Sequence, residues 1–537
     1  MFQFFYLKKY YFVICFFIIL VHFSFSGCSN SKPVDHTKKD QVLTLNLGGD
    51  PSNFNPVLST DSVSSTIESH VFNGLLRVND ELELEVDLAE SYSILDNGLR
   101  YRFKLKQNVL WHDGAPFTAH DVKYTFDIIL NPKTNTVRRS NFVIGGKPLQ
   151  FNVIDTHTID VVLPELFSPV LIRLSTAIIP KHILENEDIN KTSFNRHPIG
   201  TGPFRFVNYE SGQFVKLSRN NSYFGDKPKL ENILYKIIPD NNTAVMSFEK
   251  GELDAVSIPP KEKSRFQNHQ NMTMYSYTPL SYTYMGFNLK HRFFKHLRIR
   301  QAIAHAINKK ALLNGVLKGQ GKVAHIPSSP VLWSYPQNEQ FLTYSYDPDK
   351  AMELLEQEGF VKNADGIYEK NGRPFEFLLM TNKGNKEREK TAKIIQQFLR
   401  KVGIDMSIRI MEWSSFLKIV NSLEDPKPYD AVILGWGLGI DPDSYSIWHS
   451  SQYPKGFNFI GYNNLEVDQL LIDGRREMDQ DQRKKIYHRL YSNIAGDVPY
   501  IFLFFPEANI GIYNYVRGLS KPGPAGLFNV IEQVYIE

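Results

Sequence analysis

The chain has 537 residues, enough for roughly three to four domains of about 150 residues each. Its 42% hydrophobic and 22% charged content is that of a globular protein and excludes a disordered or fibrous chain. The 61 basic and 57 acidic residues nearly balance, so charge-driven binding of nucleic acid is not expected. With two cysteines, Cys15 and Cys28, the chain can form neither a disulfide framework nor a four-cysteine zinc site.

The N-terminal residues have the pattern of a secretion signal. Lys8 and Lys9 precede the apolar run Tyr10 to Phe25, which ends in Ser26-Gly27-Cys28. A positive start, an apolar middle and a small-residue exit predict a signal peptide over residues 1–27. A permanent membrane span is the alternative, but such a helix needs about 20 predominantly apolar residues, and this run is marginal for that length.

The end of this segment, Phe25-Ser26-Gly27-Cys28, resembles a bacterial lipobox, although Phe25 stands where leucine is usual. The resemblance implies cleavage before Cys28 and diacylation of its thiol, so that lipid chains would hold the mature protein at a membrane surface. A plain secretory signal with an incidental cysteine is the alternative. Residues 28–41 are polar, contain a proline and predict a flexible tether.

The folded body is predicted to begin near Val42. Val42 to Leu47 is a β-rich run that ends at the turn Gly48-Gly49-Asp50-Pro51. Ser65 to Leu76 places apolar residues at helical spacing behind serine and threonine caps. The body therefore opens with a strand, a turn and a helix.

A second strand and helix follow. Leu99 to Leu105 alternates apolar and basic residues, which predicts a strand, and His112-Asp113-Gly114 predicts a turn. Thr118 is predicted to cap the next helix, with Asp121 as the acidic member of a capping box.

The rest of the chain continues to alternate between strands and helices. The predicted strands are Phe214 to Leu217, Leu234 to Ile238 and Met406 to Met411, and the predicted helices are Arg298 to Leu317, Asp349 to Gly359 and Glu387 to Val402. This alternation predicts the α/β class, and no repeat of fixed period occurs.

Motifs of known chemistry are missing from the sequence. It contains no His-Glu-x-x-His zinc motif and no Gly-x-Ser-x-Gly nucleophile elbow. Gly315 to Val323 approaches a phosphate loop, but its first glycine is one position too early and Val323 replaces the magnesium-binding hydroxyl. Asp441 and Asp443, with a proline between them, predict a turn rather than an acid-base pair. No catalytic residue, metal ligand or cofactor is assigned, and a binding role is favoured over turnover.

Short motifs follow one another from about Leu47 to about Leu519, and the most specific is Tyr101 to Phe126. The others are Phe72 to Leu76, Leu88 to Tyr92, Pro198 to Phe204, Arg219 to Gly225, Gly251 to Asp254, Gly286 to Asn288, Arg298 to Ala302, Tyr346 to Pro348 and Gly435-Trp436. In this order they resemble the extracellular solute-binding proteins of peptide-type ABC importers, a family that includes oligopeptide-, dipeptide- and nickel-binding proteins.

The resemblance implies an α/β, two-lobed periplasmic-binding-protein-like fold (type II, large cluster) with an additional subdomain in lobe one. Lobe one would comprise residues 42–284 and 500–537, with the subdomain at 59–197, and lobe two residues 285–499. The crossings would lie near Tyr282 to Asn288 and near Pro499 to Phe505. Closure of two such lobes would bury a ligand away from water.

The resemblance also implies ligand contacts where the family motifs match. The matching positions are Thr60, Asp61, Ser62, Trp413, Gly435 and Trp436, and Gly437 and Asp441 are further candidate ligand residues beside them. The glycines would admit a peptide backbone, and the tryptophans would offer an apolar wall. Trp413 and Trp436 could equally belong to the core, and a core position is favoured for Trp111.

One position departs from the family. The aspartate that pairs with the peptide's free amine in oligopeptide and dipeptide binders is replaced by Gly439. Because a buried ammonium needs a partner, either Asp441 takes this role or the ligand has no free amine there.

These observations predict a substrate-binding lipoprotein of an ABC import system, which captures peptides by hinge closure and delivers them to a permease and ATPase complex. It would be a monomer that binds no nucleic acid, anchored through Cys28 and facing the periplasm or the exterior of a bacterium. A nickel chelate, haem or an oligosaccharide is the alternative ligand, with His449 as the candidate histidine for nickel. A secreted hydrolase is the alternative outside the family.

Overall fold

The structure, a computed structural model, describes residues 40–337 and 341–537. The predicted signal peptide, Cys28 and nearly all of the predicted tether lie outside these residues. None of the helices within the described part is long and apolar enough to cross a membrane.

The first half of the described chain carries most of the antiparallel strands. Its elements are, in order, β1 (Val42–Leu47), α1 (Ser62–Val71), β2 (Leu76–Val78), β3 (Leu84–Val86), β4 (Ala89–Leu95), β5 (Arg100–Leu105), α2 (Ala119–Leu130), β6 (Val143–Ile144), β7 (Lys147–Pro148), β8 (Gln150–Asp155), β9 (Thr158–Val162), α3 (Val170–Arg173), α4 (Lys181–Leu184), β10 (Phe204–Glu210), β11 (Phe214–Arg219), β12 (Asn232–Ile237), α5 (Asn241–Glu249), β13 (Ala255–Ser257), α6 (Lys263–Phe266) and β14 (Met272–Tyr277).

The second half carries the longer helices. Its elements are β15 (Ser281–Phe287), α7 (Leu297–Ala306), α8 (Lys309–Leu317), β16 (Gly321–Val323), α9 (Pro348–Gln357), β17 (Val361–Lys362), β18 (Tyr368–Lys370), β19 (Arg373–Pro374), β20 (Glu376–Asn382), α10 (Lys386–Lys401), β21 (Asp405–Met411), α11 (Trp413–Val420), β22 (Ala431–Gly437), α12 (Tyr445–Trp448), α13 (Leu465–Arg476), α14 (Gln480–Asp497), β23 (Tyr500–Pro506), β24 (Ala508–Tyr513), β25 (Val516–Arg517) and β26 (Tyr535–Ile536).

Most of the elements predicted from local patterns are confirmed. β1 has the predicted bounds, and α10, β21 and α9 each begin one residue before the predicted start. The capping box of α2 is present, with the Asp121 carboxylate accepting the backbone N–H of Thr118 at 2.9 Å.

Two predicted helices have wrong bounds. α1 begins at Ser62 rather than Ser65, because the side chain of Asp61 caps it by accepting the backbone N–H of Ser64 at 3.0 Å. The predicted helix from Arg298 to Leu317 is two helices, α7 and α8, because the chain is extended at Asn308, whose side chain caps α8.

Two four-stranded sheets share one hydrophobic core in the first half of the chain. One has the strand order β1-β12-β11-β10, with β1 parallel to β12, and the other has the order β4-β5-β9-β8. Leu43 and Val215 from the first sheet and Phe103 and Ile159 from the second are all fully buried in this core. A separate three-stranded sheet has the order β13-β24-β14.

The second half is organised around a six-stranded sheet of order β16-β23-β15-β22-β20-β21. Alternate residues of its central strands enter cores on opposite faces: Met285 and Phe287 belong to one core, and Tyr282 and Tyr284 to the other. Helices therefore cover both faces of this sheet, as the near-continuous burial of β15 and β23 requires.

The chain passes twice between the three-stranded and six-stranded sheets. The first passage is at residues 278–280, between β14 and β15, and the second is at Glu507, between β23 and β24. β15 and β23, the predicted crossings, therefore pair with each other inside the six-stranded sheet. Below, lobe one denotes residues 40–280 and 507–537, and lobe two denotes the described residues of 281–506.

Several motifs that carry the family resemblance meet at one buried place in lobe one. A Cβ atom on Gly200 would stand 1.8 Å from the carbonyl oxygen of Val71, so only glycine fits against the end of α1. His112 accepts the backbone N–H of Gly200 at 3.2 Å, and its other ring nitrogen donates to the carbonyl oxygen of Gly202 at 3.0 Å. Burial lowers the pKa of His112 to about 4, although the hydrogen bond to Gly202 acts to raise it. The motifs that contain His112 and Gly200 therefore hold sequence-distant segments of lobe one together.

Candidate ligand-binding cleft

A cavity of about 1380 Å³ is lined mainly by lobe one and reaches lobe two at two residues. In lobe one its wall includes residues from β1 and α1, the segment around Asn141 and the end of α3; in lobe two it includes Asn385 and Glu387 at the start of α10. One arm of the cavity extends along residues 525–533 of lobe one. The wall is therefore assembled mainly from sequence-distant segments of lobe one, with a small contribution from lobe two.

The wall presents polar atoms whose hydrogen-bonding capacity is unused. Four side-chain atoms on it are buried and have no hydrogen-bond partner among the described residues: Asn46 Oδ1, Glu68 Oε1, Asn141 Oδ1 and Arg173 Nε. Buried polar groups in folded proteins are nearly always hydrogen-bonded, so such a group calls for a ligand or an ordered water. Three acceptors and one donor on residues that line the same cavity suit a polar ligand.

Glu68 is the buried carboxyl group of this wall. It lies on α1 with 7% of its surface exposed, and its Oε2 accepts the hydroxyl of Ser59 at 3.0 Å. Burial raises the pKa of Glu68 to about 7, against the opposing influence of Arg138. The guanidinium of Arg138 donates to the carbonyl oxygens of Pro56 at 2.6 Å and of Ser59 at 3.1 Å.

The contribution of lobe two to the wall comes from the N-terminal turn of α10. Its cap is Asn385, whose side chain accepts the backbone N–H of Arg388 at 3.0 Å. Arg388 donates to Asn382 Oδ1 at 2.9 Å, and burial lowers the pKa of its guanidinium and raises that of the Glu387 carboxyl. The backbone of Gly435 runs beside this arginine, where a Cβ atom would lie 3.1 Å from a guanidinium nitrogen. Gly435 therefore makes room for Arg388.

A buried ionic cluster connects the two lobes beside the cavity. The Asp443 carboxylate of lobe two, whose side chain is 0% exposed, accepts a hydrogen bond from Arg475 of the same lobe at 2.9 Å and from Arg173 of lobe one at 2.6 Å. Although burial alone would raise it, these two guanidinium groups hold the pKa of Asp443 well below its usual range. Arg475 also donates to the carbonyl oxygen of Ser140, in lobe one, at 3.0 Å. We call Arg173, Asp443 and Arg475 the interlobe clasp.

Smaller contacts join the lobes elsewhere around the cleft. Lys386 at the start of α10 pairs with Asp240 of lobe one at 2.9 Å, and Arg476 pairs with Glu165 at 2.8 Å. Lys455 donates to the carbonyl oxygen of Thr134 at 3.3 Å. With the clasp, these contacts place the lobes in a closed arrangement.

Thr60, Asp61 and Ser62 lie next to the cavity but not on its wall. The Asp61 carboxylate caps α1 and also accepts the hydroxyl of Ser64 at 2.8 Å, while Ser62 is the first residue of the helix and is exposed. The hydroxyl of Thr60 accepts an N–H from Asn421 of lobe two at 3.2 Å. Asp61 is thus committed to the helix, and Thr60 to an interlobe contact.

The two predicted tryptophans are half-buried in lobe two. Trp413 faces Gly49 of lobe one, where a Cβ atom would lie 3.2 Å from the tryptophan Cβ, and its Nε1 has no partner among the described residues. Trp436 packs on Phe459 and Phe457, with ring centroids 5.7 and 5.3 Å apart. Trp413 therefore lies at the junction of the lobes, and Trp436 lies against an aromatic core.

Of the remaining predicted positions, Asp441 has a committed partner. Its carboxylate forms a two-pronged pair with Arg483 at 2.6 and 2.7 Å, within lobe two. Gly437 and Gly439 are exposed, and a Cβ atom on Gly437 would meet nothing within 4 Å. The Asp441 carboxylate is therefore already paired within lobe two, and position 439, a glycine, has no carboxylate.

Sequence reasoning missed the polar residues of the wall. Glu68 carried a usable signal, because it belongs to the buried stripe of α1 together with Ser64, Ile67 and Val71, where a carboxylate is unexpected without a partner. Trp111, by contrast, is 1% exposed and packs on Phe117 in lobe one, so it belongs to the core.

The histidine named for a nickel ligand lies in a structural setting. His449 stacks on Tyr445 with ring centroids 4.1 Å apart, and its Nδ1 lies 2.8 Å from the hydroxyl of Ser451. Across residues 40–337 and 341–537, no group of three or more His, Cys, Asp or Glu residues is placed to hold a metal ion.

Two α/β lobes, linked by two passages of the chain and closed over a polar cavity, define a solute-binding protein of the clamp type. The family described as bacterial extracellular solute-binding proteins, family 5 Middle, matches residues 83–457. The chain belongs to this family, and the predicted two-lobed α/β fold is confirmed.

Relatives with different ligands match nearly the whole chain. The oligopeptide-binding protein AppA of Bacillus subtilis is 35% identical over 522 residues, which cover 94% of this chain and 95% of AppA. The structure of AppA in complex with a nonapeptide has a TM-score of 0.88, with 92% of this chain and 99% of that chain covered. NikZ of Campylobacter jejuni, in complex with Ni(L-His), has a TM-score of 0.82 at 30% identity, with 94% and 100% covered. The heme-binding protein A of Haemophilus influenzae is 27% identical over 478 residues, 84% of each chain.

Proposed function

We propose that this protein captures oligopeptides in the cleft between its lobes and presents them to the permease and ATPase complex of an ABC importer. The observation that carries the proposal is the set of unpartnered polar atoms on the cavity wall, Asn46 Oδ1, Glu68 Oε1, Asn141 Oδ1 and Arg173 Nε. An extended peptide backbone presents N–H donors and C=O acceptors along its length. The three acceptors suit peptide N–H or ammonium groups, and the arginine donor suits a carbonyl or carboxylate oxygen.

The size of the cavity favours oligopeptides over smaller solutes. Pockets for drug-sized ligands typically occupy about 300–1,000 Å³, and this cavity has about 1380 Å³. The likeness to AppA, whose structure contains a nonapeptide, points in the same direction.

Several residues named from the sequence remain part of the proposal. Trp413 and Thr60 lie where the lobes meet, and we expect them to contact ligand groups that reach the edge of the cleft. Gly435, Trp436 and Gly437 form the end of β22, beside Arg388. We expect this strand end to support the lobe-two wall.

Titration calorimetry with the purified protein tests the ligand class. Synthetic peptides of two to nine residues, the nickel–histidine complex, haem and a maltooligosaccharide are offered separately. Peptides of four residues or more are expected to bind tightly and to be recovered intact, because the role is capture and not cleavage. Binding of one of the other solutes with no binding of any peptide would refute the proposal, and peptide cleavage that a cleft substitution abolishes would favour a hydrolase.

We also propose that Cys28 carries the lipid anchor and that the protein works as a monomer outside the cytoplasm. The lipobox-like sequence supports the anchor. In cells, a Cys28→Ser variant with a different secretion signal is expected to move from the membrane fraction to the soluble fraction. A variant that still sediments with membranes would rule out anchoring through Cys28.

A further inference from the structure

The carboxyl group of Glu68 has one oxygen that the fold leaves unused. The residue lines the cavity. Its Oε2 accepts the hydroxyl of Ser59, whereas its Oε1 is buried and has no hydrogen-bond partner in the described part of the chain. With 7% of the residue exposed, bulk water hydrates this carboxyl poorly. A buried carboxylate is costly unless donors or a positive charge reach it.

The charged neighbours of Glu68 are committed elsewhere. Arg138 favours the ionised carboxyl, but its guanidinium donates to the Pro56 and Ser59 carbonyl oxygens. Asp61, on the loop before α1, disfavours a second negative charge, and its carboxylate caps the helix. Because Glu68 lines the cavity, a ligand bound there is the remaining candidate partner for its Oε1.

We propose that Glu68 binds an ammonium group of the ligand, either the free N-terminus of a peptide or a lysine side chain. The inference rests on the proposed peptide-binding function and names a residue that selects among peptides. An ammonium group carries three N–H donors and one positive charge, which together supply what Glu68 Oε1 lacks.

Binding of an ammonium group by Glu68 would compensate for the aspartate that is replaced by Gly439. Asp441, the sequence candidate for pairing with an amine, is held by Arg483 within lobe two. Glu68 lies in lobe one, on the other wall of the cleft. An ammonium held by Glu68 would therefore be anchored to lobe one and would be enclosed when lobe two closes.

The pairing predicts that affinity depends on pH. Burial raises the pKa of Glu68 to about 7 in the empty protein, so at pH 5.5 an incoming ammonium must displace a proton. At pH 7.5 the carboxyl is mostly ionised, while a peptide N-terminus, with a pKa of about 8, is still mostly charged. Peptides with an ammonium at this position should bind more tightly at pH 7.5 than at pH 5.5.

Three versions of one peptide separate the sources of the ammonium. The tightest-binding peptide from the calorimetric series is prepared without lysine, with a free N-terminus or an acetylated one, and an acetylated version with lysine as its first residue is the third probe. Each is titrated at pH 7.5 into the wild-type protein, the Glu68→Gln variant and the Glu187→Gln variant. Glu187 is an exposed residue of lobe one and serves as the matched control.

In the wild-type and control proteins, acetylation is expected to weaken binding by about tenfold or more, because a hydrogen bond to a charged group contributes about 1.5–3 kcal/mol. If the site accepts a lysine side chain, the third probe binds as tightly as the peptide with a free N-terminus. If the site accepts only the N-terminus, the third probe binds as weakly as the acetylated peptide. In Glu68→Gln the free and acetylated peptides should bind alike. If this variant fails to fold, the wild-type titrations at pH 5.5 and 7.5 replace it, with a pH effect expected for ammonium-bearing peptides only.

The possible results separate the role of Glu68 from the proposed capture of peptides. Peptide binding that is indifferent to acetylation, to lysine and to the Glu68→Gln change overturns the Glu68 assignment and leaves peptide capture intact. Absence of binding by every peptide overturns peptide capture and the assignment with it.

Discussion

Replacing Asp443 by asparagine should loosen the closed arrangement of the lobes without substituting any residue of the cavity wall. Asp443 is not among the residues that line the cavity, yet its carboxylate holds Arg475 of its own lobe and Arg173 of the other. Asparagine keeps the shape and one acceptor oxygen, but it removes the negative charge and places an N–H₂ group near one of the two guanidinium groups. The clasp therefore loses its central charge.

The magnitude follows from the burial of each partner. Removing one member of a buried ion pair costs about 3–5 kcal/mol. Part of this cost falls on lobe two alone, because the Arg475 side chain is 4% exposed and belongs to that lobe. The share that acts on closure is the bond to Arg173, whose side chain is 21% exposed; a charged hydrogen bond discounted for this exposure contributes about 1–2 kcal/mol. Ligand affinity should thus fall by about 5- to 30-fold.

Titration calorimetry and stopped-flow tryptophan fluorescence with the tightest-binding peptide measure this effect. Most of the change should appear in the dissociation rate, because closure follows the encounter and retains the ligand. Arg517→Gln, which breaks an exposed pair with Glu537 inside lobe one, is the matched control and should leave affinity unchanged. A folded Asp443→Asn variant with wild-type affinity and dissociation rate would refute the clasp as a contributor to closure.

Three further substitutions test the fold. Gly200→Ala should lower the free energy of unfolding by about 1–3 kcal/mol or more, because its Cβ would overlap the Val71 carbonyl oxygen; in urea titrations Gly437→Ala, which meets nothing, is the control, and equal stabilities would contradict the packing. The pKa of His112 is lowered to about 4 in the folded protein. As pH falls from about 6.5 to 4, the unfolded state therefore takes up a proton on this histidine before the folded state does. This lowers the free energy of unfolding by about 3 kcal/mol in all. His112→Gln should be correspondingly less acid-sensitive in unfolding titrations, and an unchanged pH dependence would refute this assignment. Trp436→Ala should lower the melting temperature by removing contacts with two phenylalanine rings, whereas Trp436→Phe should lower it less.

Local patterns in the sequence were enough for elements whose caps and periodicity agree. β1 and the capping box of α2 follow from a β-rich run and from a threonine three residues before an aspartate. The prediction failed where more than one residue could cap a helix, because α1 is capped by Asp61 rather than by a later serine. A continuous apolar pattern likewise concealed the break before α8 at Asn308.

The cleft could not be derived in the same way because its contacts are distant in sequence. Arg173 and Asp443 are 270 residues apart, and nothing near either one predicts the pairing. Asp441 illustrates the converse, since motif position suggested a ligand role, whereas Arg483, 42 residues away, already holds its carboxylate. Glu68 had a local signal, a carboxylate on the buried face of a helix, but its unpartnered oxygen is visible only once the neighbouring segments are placed.

The position of β24 in lobe one has a consequence for the order of folding. This strand, Ala508–Tyr513, lies between β13 and β14, with antiparallel pairing to both. The three-stranded sheet therefore cannot form before the last part of the chain is available, and the six-stranded sheet of lobe two likewise needs β23, which ends at Pro506. Because contacts between distant residues form late and slowly, lobe one should be completed only when β24 inserts. Until then β13 and β14 expose unpaired edges, so a chain interrupted before residue 508 would be prone to aggregation.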